Sequence, residues 1–388
     1  MTVRSAVASR VLAALNEVIK KSNQDVPLHE PSFAGNEWTY LKGCLDSTFV
    51  SSIGEYVDRF EKMLSDYTGV KRAVAVVNGT SALHAALKLS GAGAGDEVLV
   101  PTFTFVATAN AVSYLGAIPH FVDSEEKTLG LDPCKLHEYL EKIGEMRSNG
   151  CYNKQTGNRI RAVIPVHIFG HPVDMDPLSE LAKRFQLELI EDATESLGSF
   201  YKGKHTGHWG RFSVLSFNGN KIITTGGGGA ILTNDEELAA QARHITTTSR
   251  LPHKWEYCHD EVGFNYRMPN INAALGCAQL ERLPFFLDKK RKLSETYADA
   301  FSEVEGVTFF REPEFSRSNY WLNALIIEKG KGARDDVLDL TNKKGIMTRP
   351  AWILMHKLPM FSRCPKMDLS VAESLENRLI NIPSSATL

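Results

Sequence analysis

Ala73-Val74-Ala75-Val76-Val77-Asn78-Gly79-Thr80-Ser81 is an apolar run that halts at a glycine among polar residues. Five consecutive small or β-branched apolar residues predict a strand covered on both faces, and the Asn-Gly-Thr-Ser after it predicts a turn into a helix. The same pattern continues along the chain. Strands are predicted at Ala73–Val77, Glu97–Val100, Ile118–Val122, Ala162–Val166, Leu187–Glu191, Ser213–Phe217 and Ala230–Thr233. Helices are predicted between them at Ser81–Ser90, Val106–Leu115, Pro133–Ile143 and Pro177–Phe185, where apolar residues recur three and four apart. Alternating strand and helix implies an α/β fold, with a mostly parallel seven-stranded sheet between helical layers.

After Arg250 the pattern changes. Helices at Asn272–Leu280 and Asp288–Phe301 precede strands near Val307–Phe310 and Tyr320–Ile327, which read as a smaller α+β lobe. The polar segment Ser148–Arg161 reads as a surface insertion. The expected organisation is an N-terminal helix within residues 1–26, a large domain over 27–250 and a small domain over 251–388. In the first segment Glu17, Lys20 and Lys21 continue the helical pattern, which favours a folded helix over a transit peptide.

The 388 residues include 44 Lys and Arg against 46 Asp and Glu, a net charge of -2. Such a balance makes no field to gather nucleic acid or anionic lipid, so an anionic ligand needs a local site. The richest apolar stretch, Val98 to Val122, is broken by Pro101 and Pro119, and no membrane span is expected. Six scattered cysteines with no CxxC pair read as reduced, mostly buried thiols in a cytoplasmic setting, with no metal site.

Three segments carry chemistry. Asn78-Gly79-Thr80-Ser81 opens a helix with N–H groups, hydroxyls and a dipole that suit a phosphate, or else Thr80 or Ser81 only caps the helix. Leu189-Ile190-Glu191-Asp192 ends a buried strand in an acid, at the sheet edge where α/β proteins bind ligands. Asp192 there calls for a cation such as a protonated ring nitrogen, or caps the next helix. Ser213-Val214-Leu215-Ser216-Phe217-Asn218-Gly219-Asn220-Lys221, followed by Gly226 to Gly229, sets a lysine five residues beyond a strand-end serine. A sheltered lysine is a nucleophile toward carbonyls; on a surface turn it would be only solvated. A phosphate cup, an acid and a lysine on three strand ends are together what pyridoxal phosphate needs. A nicotinamide-binding Rossmann fold would need glycines that Asn78–Leu83 lacks.

Read from Pro27 to the C-terminus, the chain resembles the DegT/DnrJ/EryC1/StrS family of pyridoxal-phosphate nucleotide-sugar aminotransferases, enzymes of fold type I. The resemblance rests on Asn78-Gly79-Thr80-Ser81-Ala82-Leu83, Gly95-Asp96-Glu97-Val98 running into Pro101–Phe105, Glu191-Asp192-Ala193, Ser216-Phe217 with Lys221, and Gly263-Phe264-Asn265-Tyr266-Arg267. It implies that Lys221 bonds the cofactor and moves the substrate proton, and that Asp192 pairs with the ring nitrogen. It implies Phe105 over the ring face, and Gly79, Thr80, Ser81 and Ser216 around the phosphate. Asn265 would reach the phosphate of a neighbouring subunit, so the resemblance implies a homodimer with shared sites. Glu195 stands where many members carry Gln or His against the cofactor's 3-hydroxyl. Residues 218–220 also differ from the commoner forms.

His29–Glu37 with Ser51, Ser52 and Gly54, and Arg349–Trp352 with His356, resemble the branch that aminates C4 of UDP-linked 4-keto-6-deoxy-N-acetylhexosamines for surface glycans. Ser51, Ser52, Gly54, Arg349 and His356 would meet the nucleotide sugar, with Tyr320, Trp321 and Trp352 as ring faces or as core. L-Glutamate would donate the nitrogen in a ping-pong cycle. The alternatives are C3 amination of a dTDP- or UDP-linked keto-sugar, or a non-catalytic regulatory protein that binds pyridoxal phosphate.

Overall fold

The computed structural model describes residues 3–20 and 25–388. Helices α1 (Val3–Ile19), α2 (Glu37–Asp46) and α3 (Glu55–Thr68) come first, and α3 stops at Gly69, whose φ of 78° costs glycine nothing. Strand β1 (Arg72–Val76) then leads into α4 (Gly79–Leu89), where the Asn78 side chain caps the helix by accepting the Ser81 N–H. Next come β2 (Glu97–Pro101), α5 (Val106–Ser113), β3 (Ile118–Val122) and α6 (Pro133–Ile143).

Where a surface insertion was expected, the chain forms a hairpin, β4 (Gly144–Arg147) and β5 (Gly150–Asn153), attached to β6 (Arg159–Val163). Most of its polar residues are exposed, as expected of a surface insertion, but the side chains of two reach inward. Asn153 Nδ2 and Thr156 Oγ1 donate to the buried carboxylate of Glu97 at 2.9 and 2.5 Å, a long-range pairing that composition cannot reveal.

After α7 (Met175–Arg184) and β7 (Glu188–Asp192), a small hairpin of β8 (Phe200–Tyr201) and β9 (Lys204–His205) precedes β10 (Phe212–Ser216), β11 (Gly229–Thr233) and α8 (Glu236–Thr246). The large sheet runs β1-β11-β10-β7-β6-β2-β3, the seven expected strands, and the added hairpin makes nine. From β10 to β3 neighbours are parallel, while β11 is antiparallel to both β1 and β10. Strands β1, β10 and β7 therefore point the same way, and their C-terminal ends share one edge of the sheet.

The rest comprises α9 (Asn270–Glu281), α10 (Leu283–Ala300), β12 (Val307–Phe309), β13 (Ser316–Arg317), β14 (Asn323–Ile327), α11 (Lys331–Lys343), β15 (Arg349–Pro350), α12 (Ser370–Arg378) and β16 (Leu379–Ile382). Strands β12, β14, β16 and β15 form an antiparallel sheet, and β13 pairs with β8 across the lobes. Packing does not follow chain order. Val7, Val11 and Leu15 of α1 share a core with Tyr297, Phe301, Val337 and Ile380, so the N-terminal helix belongs to the small lobe. Ala273, Ala274 and Cys277 of α9 pack with Phe60 and Leu64 on the large sheet, although the division at residue 250 assigned α9 to the small domain.

Of the six cysteines, Cys44, Cys151 and Cys277 are buried, whereas Cys134 and Cys258 are exposed, fewer buried thiols than expected. No helix among the described residues is long and apolar enough to cross a membrane.

Candidate active site

The shared edge of β1, β7 and β10 opens into a cavity of about 340 Å³. Gly79, Thr80, Phe105, Asp192, Glu195, Ser216, Lys221 and Trp352, all expected in the site, line it. The first turn of α4 faces the cavity, where its N–H groups lack intrahelical partners and its dipole favours an anion. Gly79 is needed there because a Cβ would lie 3.0 Å from Ser216 Cβ and 3.1 Å from Thr194 Cγ2.

Asp192 ends β7, buried, with both oxygens engaged. Thr108 Oγ1 donates to Oδ2 at 2.7 Å, and Thr194 donates to Oδ1 through its hydroxyl at 2.7 Å and its N–H at 3.2 Å. Each carboxylate oxygen has further lone-pair capacity for a donor from the cavity. The neighbouring acid, Glu191, is taken up by His167 Nε2 and the N–H groups of Gly207, Trp209 and Gly210, away from the cavity.

Lys221 Nζ lies 3.1 Å from Glu195 Oε1 and 3.8 Å from the centre of the Trp321 ring. Glu195 Oε2 accepts the Phe169 N–H at 2.8 Å, and Phe169 reaches that position in the left-handed region at φ 55°. A bulky residue there is costly, and its ring stacks on Trp352 at 5.1 Å. Burial pushes the Glu195 carboxyl above its ordinary pKa, while the Lys221 ammonium and the Phe169 N–H pull it part of the way back. The acid that departs from the commoner Gln or His thus finds a cation.

Other expected residues lie elsewhere. Ser81 sits one step into α4 with its N–H spent on Asn78. Asn265 is exposed and bridges to Thr247. Ser52 and Gly54 line a separate cleft beside Arg243 and Arg250, and the Ser51 carbonyl accepts the Asn270 N–H at 2.6 Å. Tyr320 is buried against His171 and Arg291, and its neighbour Trp321 takes the place at the cavity wall. Arg349 is exposed at the small-lobe edge, and His356 is buried with Nδ1 2.8 Å from Thr102 Oγ1. Conversely, Thr108, Thr194 and Phe169 went unread. Thr108 follows Phe105 by three residues on a helix, and that spacing was the available signal.

These residues fit pyridoxal phosphate. The α4 cup suits its phosphate, Asp192 its ring nitrogen and Lys221 its carbonyl carbon, all on one small cavity. Fold and site together define a fold-type-I pyridoxal-phosphate-dependent transferase. The chain belongs to the DegT/DnrJ/EryC1/StrS aminotransferase family, whose profile it matches over residues 31–388. It is 39% identical over 360 residues to GDP-perosamine synthase of Caulobacter vibrioides, covering 92% of each chain. It is 38% identical over 363 residues to GDP-perosamine synthase of Escherichia coli O157:H7, covering 94% of each. Its fold superposes on Helicobacter pylori PseC, an aminotransferase of pseudaminic acid biosynthesis, with a TM-score of 0.85 at 25% identity, covering 94% of this chain and 95% of that one. The protein is a pyridoxal-phosphate-dependent sugar aminotransferase.

Proposed function

We propose that the enzyme moves an amino group from L-glutamate to C4 of a 4-keto-6-deoxyhexose carried on a nucleoside diphosphate, for surface polysaccharide synthesis in the cytoplasm. The observation that carries this reading is the convergence of Lys221, Asp192 and the α4 cup on one cavity. For the nucleotide, relatives that make GDP-perosamine favour GDP over the UDP-linked N-acetyl sugar expected from sequence.

Pyridoxal phosphate, when bound, supplies the carbon that carries nitrogen and a ring that draws electrons from it. Asp192, oriented by Thr108 and Thr194, balances the ring nitrogen's charge. Lys221 carries the proton to and from the substrate carbon, and Glu195 holds its ammonium between transfers. Thr80 and Ser216, which line the cavity, hold the phosphate through their hydroxyls. Phe105, 53% exposed, and Trp352 shape the mouth, where the sugar enters and water is displaced. The working unit is a homodimer, in which Asn265 of the partner subunit completes the phosphate site.

The test is an absorption spectrum of the cofactor-loaded protein after L-glutamate and then after either a GDP-linked 4-keto-6-deoxyhexose or its UDP-linked N-acetylated counterpart. The cofactor band is expected to bleach with glutamate and return with the GDP sugar. Return with the UDP sugar alone overturns the nucleotide, and product aminated at C3 overturns the position. No bleaching with any amino donor overturns turnover itself.

A further inference from the structure

Lys290, on α10, is wholly buried, and no carboxylate pairs with it among the described residues. Burying an unpaired ammonium is expensive, and a methionine of similar length would pack there without that cost. Burial alone pulls its pKa down to about 7. What the ammonium has instead of a counter-ion is a set of main-chain carbonyls: Trp321 at 3.1 Å, Ser384 at 2.5 Å and Tyr320 at 3.5 Å.

The Tyr320 and Trp321 carbonyls belong to one turn, and Ser384 lies beyond β16, so the ammonium ties that turn to the C-terminal segment. Tyr320 sits at φ 47°, a left-handed conformation unfavourable for an aromatic residue. On its other side the turn is tied to the large lobe. Asn319 Nδ2 donates to the carbonyls of Glu195 and Leu197, both at 2.9 Å, and the Trp321 N–H donates to Asn319 Oδ1 at 2.7 Å. Beyond the turn, the Trp321 indole N–H donates to the Asn220 carbonyl at 2.6 Å, and its ring face lies over Lys221 Nζ.

We propose that Lys290 is a positioning residue for the reactive amine: its ammonium clamps the Tyr320–Trp321 turn so that the indole holds Lys221 Nζ toward Glu195 and the cavity. A ring face attracts an ammonium most strongly where water is scarce, and the Lys221 side chain is only 13% exposed. Lys290 touches neither substrate nor cofactor; it acts through Trp321. The inference rests on the reading of Lys221 as the cofactor lysine.

The test uses the full, cofactor-free chain labelled with 5-fluorotryptophan, whose five tryptophans give five fluorine resonances, with Trp321 assigned by its loss in Trp321→Phe. The second readout is the acylation rate of Lys221 by acetic anhydride, followed by peptide mass. In Lys290→Met the Trp321 resonance is expected to move or split while the other four stay, and Lys221 acylation to rise about two- to fivefold, the worth of a cation–ring contact. An unmoved Trp321 resonance overturns the proposal, and so does a moved resonance with unchanged acylation. If Lys290→Met does not fold, Lys290→Gln keeps N–H donors without the charge and is read the same way. If neither folds, unchanged acylation in Trp321→Phe overturns the proposal. Cofactor enters neither readout, so a Lys221 that fails to bond pyridoxal phosphate overturns the proposed function and leaves this result standing.

Discussion

Glu195 Oε1 meets Lys221 Nζ at 3.1 Å, with Glu195 buried and Lys221 nearly so. The two arrive from different strand ends, 26 residues apart, and neither has another ionic partner among the described residues. Losing one therefore alters the state of the other.

In the proposed mechanism Lys221 moves the proton, and replacing it removes that group. Lys221→Ala is expected to lower turnover by about 10⁴-fold or more while still binding pyridoxamine phosphate, measured by product formation and equilibrium dialysis. Asp192→Asn should bind cofactor yet slow the glutamate half-reaction, and near-normal half-reaction rates would count against its role.

For Glu195 the sign follows from its raised pKa. An acid whose folded pKa exceeds its unfolded one contributes stability that is complete below the unfolded value, and that contribution is lost as pH rises through the folded value. Glu195→Gln, neutral at every pH, escapes that loss. The melting temperature of cofactor-free Glu195→Gln should gain on wild type as pH climbs from about 4.5 through the raised value, then hold a constant gap. A gap independent of pH would show that the carboxyl is unperturbed.

At the phosphate cup the decisive feature is the missing side chain of Gly79. Its backbone has ordinary helical geometry, so Gly79→Ala keeps the helix but drives a methyl to 3.0 Å from Ser216 Cβ and 3.1 Å from Thr194 Cγ2. Relief comes by displacing the cup. Cofactor Kd is expected to rise about tenfold, ~1.4 kcal/mol, by fluorescence titration with little change in melting temperature.

Thr108 orients Asp192 from α5. Thr108→Val keeps the shape and deletes the 2.7 Å hydrogen bond to Oδ2, leaving a buried carboxylate short of a donor. A loss of about 1.5–3 kcal/mol in urea unfolding is expected, with a lower kcat and an unchanged KM for the keto-sugar.

Much of the fold was legible because its signals are local. Each of the seven large-sheet strands is a short apolar run with a turn at its end, as at Val76-Val77-Asn78-Gly79, and burial on both faces leaves no other use for such runs. Lys221, Asp192 and Gly79 were legible for the same reason, since each follows directly from a strand end. Illegible were contacts made across the chain. Thr156 reads as a loop residue until Glu97 is set beneath it, and α1 reads as a separate segment until α10 and α11 receive its apolar face. Sequence also offered Tyr320 and Trp321 as equals. Only the left-handed turn at Tyr320 buries one ring against His171 and aims the other at Lys221.

By itself, then, the amino-acid order determined the strands, the helices and the three chemical groups at the strand ends, because hydrophobic period and turn chemistry act over a few residues. Tertiary structure alone decided that Glu195 pairs with Lys221, and that Ser51, Ser52, Gly54, Arg349 and His356 lie outside the cavity. Those outcomes depend on strand order and lobe packing, where residues hundreds of positions apart compete for the same space and the same hydrogen bonds.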